Sequence, residues 1–360
     1  MSRRHLEEHT VIGHDDVAIV DEQITEIAQP GDSVAGDHVA QTYSTLPTKA
    51  QFSVAMLLLL GVFGFSYIPR TPLPETAQSS VEHRIRNEVV KQEPVAVVPE
   101  PQLEASAAYV WDVRHQRALY NKSANTQLPL ASITKLMTSL VALETLKPDA
   151  KVPMTLAAIS QDGPSDFRDG EIFGAQALSD FSLVSSSNDG EYALAAAAAA
   201  ALSKNGSTST ALFIDAMNKK AEEIGLSQTY FINPTGLDES TTKSGAYGSA
   251  RDMAFLMEYL LEYHPQVLEG TTEKYTRVRG KEIHTATNTN EIITQIPGVL
   301  ASKTGYTDLA GGNLIIAFDA GLNRPVIVSV LGSSREGRFK DVAALISYAQ
   351  KRIASEEKNP

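Results

Sequence analysis

Ser132 and Lys135 stand three residues apart in the segment PLASITKLMT at 129–138. The apolar residues that follow recur at three- and four-residue steps, which indicates a helix, and a helix places both side chains on one face. A lysine kept neutral by burial or by a neighbouring cation can take the proton of a serine hydroxyl. The first turn of a helix also carries the positive end of its dipole. The spacing therefore predicts a serine nucleophile with a lysine base.

Two further motifs accompany this pair. Ser186–Asn188 supplies a hydroxyl and an amide, and Lys303–Gly305 supplies a cation, a hydroxyl and a residue without a side chain. A second Ser-x-x-Lys match, Ser240–Lys243, lies in a polar, glycine-flanked stretch with no apolar periodicity to fix a helix face. The three motifs together favour one active site that includes Ser132 and excludes the second match.

Other chemistries are excluded by what the chain lacks. It has no cysteine, so disulfides, thiolate metal sites and a cysteine nucleophile are ruled out. No G-x-S-x-G elbow, phosphate-binding G-x-x-x-x-G-K-[ST] loop or H-E-x-x-H is present. The four N-terminal histidines match no ligand spacing, and we expect no metal and no cofactor. A formal net charge of −12 argues against nucleic acid as a partner.

The three motifs resemble those of the serine-type D-alanyl-D-alanine carboxypeptidases, the low-molecular-mass penicillin-binding proteins. The likeness rests on PLASITKLMT, SSSND at 185–189 and SKTGYTDLAGG at 302–312, with further matches at 233–238, 250–254 and 288–290. It implies an α/β, β-lactamase/transpeptidase-like fold. In that fold an antiparallel sheet is flanked by helices beside an all-α region, and the site lies between the two.

The resemblance also implies a mechanism. Ser132 attacks the carbonyl of the penultimate D-Ala of a peptidoglycan stem peptide while Lys135 takes its proton. An acyl-enzyme forms, D-Ala leaves, and water hydrolyses the ester. Lys303 would hold down the pKa of Lys135 and attract the terminal carboxylate, and Thr304 would add a hydrogen bond. β-Lactam antibiotics would be covalent inhibitors.

The remaining site residues have roles implied in the same way. Ser186 relays a proton to the leaving amine, and Asn188 orients Lys135 and the substrate amide. The backbone N–H groups of Ser132 and Tyr306 form the oxyanion hole. Gly305 lets the substrate approach the strand backbone. Arg338 either binds the carboxylate or forms a surface salt bridge.

The chain departs from the family pattern at Ser187, where glycine is usual, at Asp189-Gly190, where Asp-Ala is common, and at Ser302, where a larger apolar residue is frequent. A class A β-lactamase is one alternative, but the E-x-x-L-N signature of its deacylating glutamate is absent. A DD-endopeptidase or transpeptidase on the same scaffold remains open. A non-catalytic peptidoglycan-binding module is disfavoured by the intact Ser132, Lys135 and Lys303.

The chain divides into four segments. Residues 1–51 hold three basic and nine acidic residues and lack sustained periodicity, which predicts a disordered tail. Residues 52–68 contain no charge and would span roughly 26 Å as a helix, enough for a transmembrane anchor. Residues 69–102 carry six prolines and form a linker, and 103–355 form the catalytic domain.

The flanking charges alone would place the C-terminal side of the anchor in the cytoplasm, because Arg70, Arg84 and Arg86 outnumber Lys49. Peptidoglycan lies outside the cell, however. We therefore predict a single-pass protein of the cell membrane whose catalytic domain is extracytoplasmic.

The pattern within the domain predicts its main elements. Two apolar-rich runs at 106–123 indicate a hairpin, and 313–320 with 325–331 indicate a second one. A long helix is expected from Ser132, an alanine-rich buried helix at 192–202 and a final helix at 335–353.

Overall fold

The computed structural model describes residues 98–163, 167–204 and 208–357. The predicted tail at 1–51, the predicted anchor at 52–68 and the linker up to residue 97 lie outside these ranges. Within them, no helix has both the length and the apolar character needed to cross a membrane. Val98, which falls inside the predicted linker, packs with Leu103 against the core of the domain.

A five-stranded antiparallel sheet forms the centre of the domain. Its strands are β1 (Ala107–Asp112), β2 (Arg117–Lys122), β10 (Val299–Thr307), β11 (Gly311–Asp319) and β12 (Pro325–Ser333). They lie in the order β10-β11-β12-β1-β2, and both predicted hairpins are present. Strand β10, which carries the Lys303–Gly305 motif, lies at one edge of the sheet, so one of its two sides pairs with no strand in the described part of the chain.

The sheet is buried on both faces, and β11 shows this by alternation. Leu314, Ile316 and Phe318 belong to the hydrophobic cluster on one face, and Ile315 and Ala317 belong to the cluster on the other. Successive side chains of a strand point to opposite faces. The C-terminal helix covers the first face, and the helical region lies against the second.

The other elements complete this helical region and its rim. The helices are α1 (Lys135–Thr145), α2 (Leu156–Ile159), α3 (Ala175–Ser185), α4 (Asn188–Leu202), α5 (Ala211–Ile224), α6 (Ala250–Tyr263) and α7 (Gly337–Glu357). The short strands are β3 (Leu128–Pro129), β4 (Lys151–Pro153), β5 (Ile172–Gly174), β6 (Tyr230–Phe231), β7 (Ala246–Gly248), β8 (Tyr275–Arg279) and β9 (Ile283–Thr287).

The alanine-rich helix is α4, and it begins four residues before its predicted start. The Ser187 hydroxyl caps it by accepting from the Gly190 N–H at 3.1 Å. Ala193, Ala195, Ala198 and Ala199 are buried, and their small side chains let α4 pack closely in the helical region.

The helix predicted from Ser132 starts differently. Residues Ala131–Thr134 form a turn of 3₁₀ helix, and the α-helix begins at Lys135. Ala131 has φ 48°, a left-handed conformation that does not continue into a regular α-helical turn. Side chains at i and i+3 eclipse in a 3₁₀ turn, so this tighter entry brings Ser132 and Lys135 closer together than an α-helical turn would.

Candidate active site

The three motifs meet at a cavity of about 550 Å³ between the edge strand β10 and the helical region. Seven of the nine predicted site residues line it: Ser132, Ser186, Asn188, Thr304, Gly305, Tyr306 and Arg338. The other two, Lys135 and Lys303, are buried and reach its serines by their ammonium ends. All nine predicted residues therefore belong to one site.

Lys135 contacts the hydroxyl it was predicted to activate. Its Nζ lies 2.7 Å from Ser132 Oγ and donates to the Thr235 carbonyl oxygen at 2.7 Å. Lys135 is completely buried, and burial lowers its pKa to about 7, against the opposing field of Glu191. An amine with this pKa is substantially neutral near pH 7, as a general base must be.

A second serine–lysine pair lies across the cavity. Lys303 Nζ donates to Ser186 Oγ at 2.9 Å and to the Thr304 carbonyl at 2.9 Å. Ser186 ends α3 in the left-handed conformation, φ 61° and ψ 34°, which costs a non-glycine residue about 1–2 kcal/mol. The rest of the fold compensates for this strain. The left-handed conformation places the Ser186 hydroxyl between Lys303 and the cavity.

Burial, more than the mutual repulsion of the two lysines, lowers their pKa values. It is the largest cause of the lowered pKa of Lys135. Burial also lowers the pKa of Lys303 well below its usual value, and the charge of Lys135 lowers it further. Both amines are thus biased towards the neutral form by the low dielectric of their surroundings.

Asn188 faces the cavity, but it does not hold Lys135. Its Nδ2 donates to the Asp162 carbonyl oxygen, and Lys135 is held by Thr235 instead. The Asn188 Oδ1 atom is buried without a hydrogen-bond partner in the described part of the chain. A buried acceptor in this state is available to a substrate amide N–H.

Strand β10 approaches Ser132 so closely that only glycine fits at position 305. A Cβ there would lie 2.9 Å from the Leu130 carbonyl oxygen and 3.1 Å from the Ser132 nitrogen. The Ser132 amide nitrogen therefore lies close to the strand at Gly305, the residue before Tyr306. The Thr304 hydroxyl shares a 2.6 Å hydrogen bond with the Thr289 hydroxyl.

Arg338 lies beside the same strand. It is 7 % exposed, and its Nη1 donates to the Gly305 carbonyl oxygen at 2.7 Å. Burial lowers its pKa, and the charge of Arg335 adds to the effect. The surface salt bridge considered as an alternative is therefore wrong, because this guanidinium is buried at the cavity wall.

The sequence motifs did not identify two contributors. One is the turn Asn233–Gly236, which presents the Thr235 carbonyl to Lys135. The Asn233 Oδ1 atom accepts from the Gly236 N–H at 2.8 Å, and Gly236 has φ +77° where a Cβ would overlap the Ala131 carbonyl. The segment NPTGLD was noticed only as a family likeness. The other is Glu191, which is completely buried, whose charge acts on both lysines, and which carries no motif signal.

The second Ser-x-x-Lys match and the histidines described below lie outside the cavity. Ser240–Lys243 forms an exposed two-residue bridge and takes no helical conformation. His115 pairs with Asp112, and His284 with Glu171. Within the described ranges, no histidine lines the cavity, and no group of side chains there is suited to a metal ion.

Comparisons with known proteins agree with this geometry. The model of the D-alanyl-D-alanine carboxypeptidase family of serine peptidases matches residues 94–335, and the chain belongs to that family. It is 34% identical over 253 residues to the D-alanyl-D-alanine carboxypeptidase DacF of Bacillus subtilis, a match that covers 68% of this chain and 62% of DacF. It is 30% identical over 230 residues to a D-alanyl-D-alanine endopeptidase of Pseudomonas aeruginosa, covering 62% of this chain and 70% of that one.

Solved structures confirm the penicillin-binding protein and transpeptidase fold. A D-alanyl-D-alanine carboxypeptidase from Mycobacterium tuberculosis aligns with a TM-score of 0.62 at 26% identity, over 71% of this chain and 94% of that one. Penicillin-binding protein D2 from Listeria monocytogenes, in its ampicillin-bound form, aligns with a TM-score of 0.57 at 30% identity, over 69% and 98%.

Proposed function

We propose that this chain is a serine-type D-alanyl-D-alanine carboxypeptidase that removes the terminal D-Ala of peptidoglycan stem peptides. The observation that carries the proposal is the 2.7 Å contact between Ser132 Oγ and the buried Nζ of Lys135. The names of the relatives support the same activity, although the match spans less than two thirds of DacF.

Acylation begins with the proton of Ser132, which passes to neutral Lys135 as Oγ attacks the carbonyl carbon of the penultimate D-Ala. The oxyanion of the tetrahedral intermediate is received by the backbone N–H groups of Ser132 and Tyr306. Such preorganised donors are worth about 3–4 kcal/mol each. The C–N bond then breaks, Ser186 relays the proton that Lys135 took from Ser132 to the leaving amine, and free D-Ala departs.

Deacylation restores the enzyme. Water attacks the ester carbonyl and Lys135 accepts the proton of that water. The bond between the acyl carbon and Ser132 Oγ then breaks, Lys135 returns the proton to Oγ, and the shortened peptide leaves as its carboxylic acid. The cations at Lys303 and Arg338, with the Thr304 hydroxyl, recognise the terminal carboxylate of the substrate. A bound carboxylate favours the ammonium form of Lys303 and so offsets its burial.

β-Lactams would acylate Ser132 and remain attached. Penicillin-binding protein D2 from Listeria monocytogenes carries ampicillin. Among the described residues, none that lines the cavity carries a carboxylate that could activate water against the adduct. This distinguishes the site from that of a class A β-lactamase, and we expect a stoichiometric burst with nitrocefin in place of rapid turnover.

Endopeptidase activity is the second candidate, because relatives from Pseudomonas aeruginosa and Escherichia coli are named D-alanyl-D-alanine endopeptidases. The two activities are separated by comparing D-Ala release from a pentapeptide with cleavage of a cross-linked muropeptide dimer.

We further propose that residues 52–68 anchor the protein in the cell membrane with the domain outside. The support is their uncharged composition and the location of peptidoglycan. Protease added to intact protoplasts should remove the domain. A protected domain would contradict this orientation.

The decisive test of activity combines fluorescent-penicillin labelling with D-Ala release from a pentapeptide. Wild type and Ser240→Ala, which changes the second Ser-x-x-Lys match, should be labelled equally and should release D-Ala equally. Ser132→Ala should do neither. A wild-type protein that neither labels nor releases D-Ala would refute the proposal.

A further inference from the structure

Arg335 is a cation of the cavity wall that the mechanism above leaves without a role. It stands in the segment between β12 and α7, and its side chain lines the same cavity as Ser132 and Arg338. Its guanidinium lies over the ring of Tyr306, with Cζ 4.0 Å from the ring centroid. At this distance the cation is attracted to the aromatic face. The exposed charge of Arg335 is therefore held at the wall of the cavity.

The backbone of the sheet supports this arrangement. Tyr306 on β10 pairs with Gly312 on β11. A Cβ at Gly312 would overlap the Ser334 carbonyl oxygen and lie 3.3 Å from Arg335 Cα. The glycine thus lets the segment before α7 pack directly on the strand pair that contains Tyr306. Arg335 starts from this packed segment, within reach of the ring and the cavity.

The guanidinium of Arg335 differs from the other cations of the site because its donors are not committed. Lys303 Nζ already donates to the Ser186 hydroxyl, and Arg338 Nη1 to the Gly305 carbonyl oxygen. Within the described part of the chain, Arg335 forms no ion pair or side-chain hydrogen bond of this kind. A carboxylate accepts about four hydrogen bonds. The donors of Arg335 are available to complete the set.

The charges around this wall leave it positive. Burial lowers the pKa of Arg338, and the charge of Arg335 lowers it further, whereas Glu291 and Glu336 act in the opposite direction. Both glutamates are exposed, and in the described residues neither forms an ion pair with Arg335. Two guanidinium groups that repel each other are both stabilised by an anion bound beside them.

We propose that Arg335 is a second guanidinium that binds, together with Arg338, the terminal carboxylate of the substrate, and that it makes the site selective for compounds ending in a free carboxylate. Arg335 takes no part in bond making, since the proton of Ser132 still passes to Lys135. The inference rests on the proposed function, because it assumes a substrate that acylates Ser132.

The test compares a pentapeptide that ends in D-Ala-D-Ala with the same peptide as its C-terminal amide. Both give the same shortened product, which mass spectrometry quantifies with the full-length protein. Arg335→Gln should raise the KM of the acid about three- to tenfold with kcat nearly unchanged, the range between an exposed ion pair and a charge-assisted hydrogen bond. The KM of the amide should stay within about twofold, because a neutral end gains little from a nearby charge.

Acylation by benzylpenicillin and by its methyl ester gives the same comparison without peptide turnover. The wild type should react faster with the acid than with the ester. Arg335→Gln should lower the rate with the acid and leave the rate with the ester, so the ratio of the two rates falls about three- to tenfold.

Three further measurements make the result specific. Lys340→Gln removes an exposed charge from α7 that does not line the cavity, and it should change neither ratio. Arg335→Lys keeps the charge without the planar fork and should restore part of the preference. Tyr306→Leu removes the aromatic face and should reduce the preference in the same direction. Salt at about 0.5 M should weaken the preference of the wild type more than that of Arg335→Gln, because exposed charges are screened.

The outcomes separate the two proposals. Equal losses with the charged and the neutral compounds would assign Arg335 a purely structural role, and an equal effect of Lys340→Gln would assign the preference to the general field of the helix; either result would overturn the inference. If Arg335→Gln does not fold, Arg335→Lys and the salt dependence carry the test. A wild-type protein that neither labels nor releases D-Ala would instead refute the proposed function.

Discussion

Lys135 is the residue on which the chemistry of this site depends. Its amine is buried, and it reaches one hydroxyl and one carbonyl oxygen within hydrogen-bond distance. Below pH 7 the ammonium form predominates, because burial lowers the pKa to about 7 but no further. An ammonium cannot accept the serine proton, so acylation must fall as pH decreases.

We predict that the acylation rate of the wild type falls about tenfold per pH unit below pH 7, as expected for titration of a single base. Lys135→Arg should lose about 10²–10⁴-fold at every pH, because a guanidinium stays protonated. Stopped-flow or quenched labelling with a fluorescent penicillin gives both rates. A pH-independent rate between 5 and 7 would show that Lys135 is not the base.

Gly305 sets the distance between the edge strand and the nucleophile. We predict that Gly305→Val reduces acylation about 100-fold, because its Cβ would press on the backbone of Leu130 and Ser132, and a displacement near 1 Å has this effect on rate. Gly321→Val, at a turn with open space around it, is the control for loss of a glycine. Equal acylation in both variants would contradict the close approach.

At this scale the sequence predicted the residues whose types carry the chemistry. Ser132, Lys135, Ser186, Asn188 and Lys303 were identifiable from short motifs, and the structure brings them together. The Thr235 carbonyl could not be identified from the sequence, because every residue has a backbone oxygen and the residue type therefore carries no signal. The contact of Asn188 with Asp162 depends on a loop distant in sequence, which local spacing does not encode.

Among the elements, strand β11 positions the nucleophile through hydrogen bonds to the segment before Ser132. The Asn313 Nδ2 atom donates to the Pro129 and Leu130 carbonyl oxygens at 3.0 Å each, and its Oδ1 accepts from the Gly332 N–H at 2.8 Å. Asn313 is fully buried. One side chain thus ties two strands of the sheet to the turn that carries Ser132.

We predict that Asn313→Ala lowers the free energy of unfolding by about 2–4 kcal/mol, because buried backbone groups lose their partners, and lowers acylation at least tenfold. The matched control is Asn218→Ala, which also breaks side-chain bonds to backbone, at Phe231, away from the cavity. It should lose stability in chemical denaturation but keep its acylation rate. Parallel loss of both properties in both variants would deny Asn313 a positioning role.

Regular elements were predictable where the pattern is local. Both hairpins follow from their apolar runs, and α4 follows from its alanines. The start of α1 could not be predicted from the local sequence. Ala131 adopts φ 48° in a packing arrangement made by Gly305 and Gly236, which come from distant parts of the chain. The distortion occurs at the nucleophile, where its effect on geometry is greatest.

At the scale of the whole domain, a buried ion pair joins the turn regions of the two hairpins of the sheet. Arg324 Nη2 donates to Asp112 Oδ2 at 2.6 Å, linking the β11–β12 turn to the end of β1. Burial alone would raise the pKa of Asp112, but hydrogen bonds from Arg324 and His115 lower it below its usual value. The pair connects segments more than 200 residues apart in sequence.

We predict that Arg324→Ala costs about 3–5 kcal/mol of unfolding free energy, because it leaves a buried carboxylate without its main partner. Arg168→Ala, which removes an exposed pair with Glu282, should cost at most about 1 kcal/mol. Urea denaturation measures both. Similar small losses in the two variants would show that the Asp112 pair contributes little to stability.

The central claim of this account is that Ser132, and not the equally lysine-paired Ser186, forms the covalent intermediate. Intact-mass and peptide-mapping mass spectrometry of benzylpenicillin-treated protein tests it directly. We predict one penicilloyl group per chain, located on the peptide that contains Ser132 and absent from Ser132→Ala. An adduct on Ser186, or an unmodified wild-type protein after prolonged exposure, would contradict it.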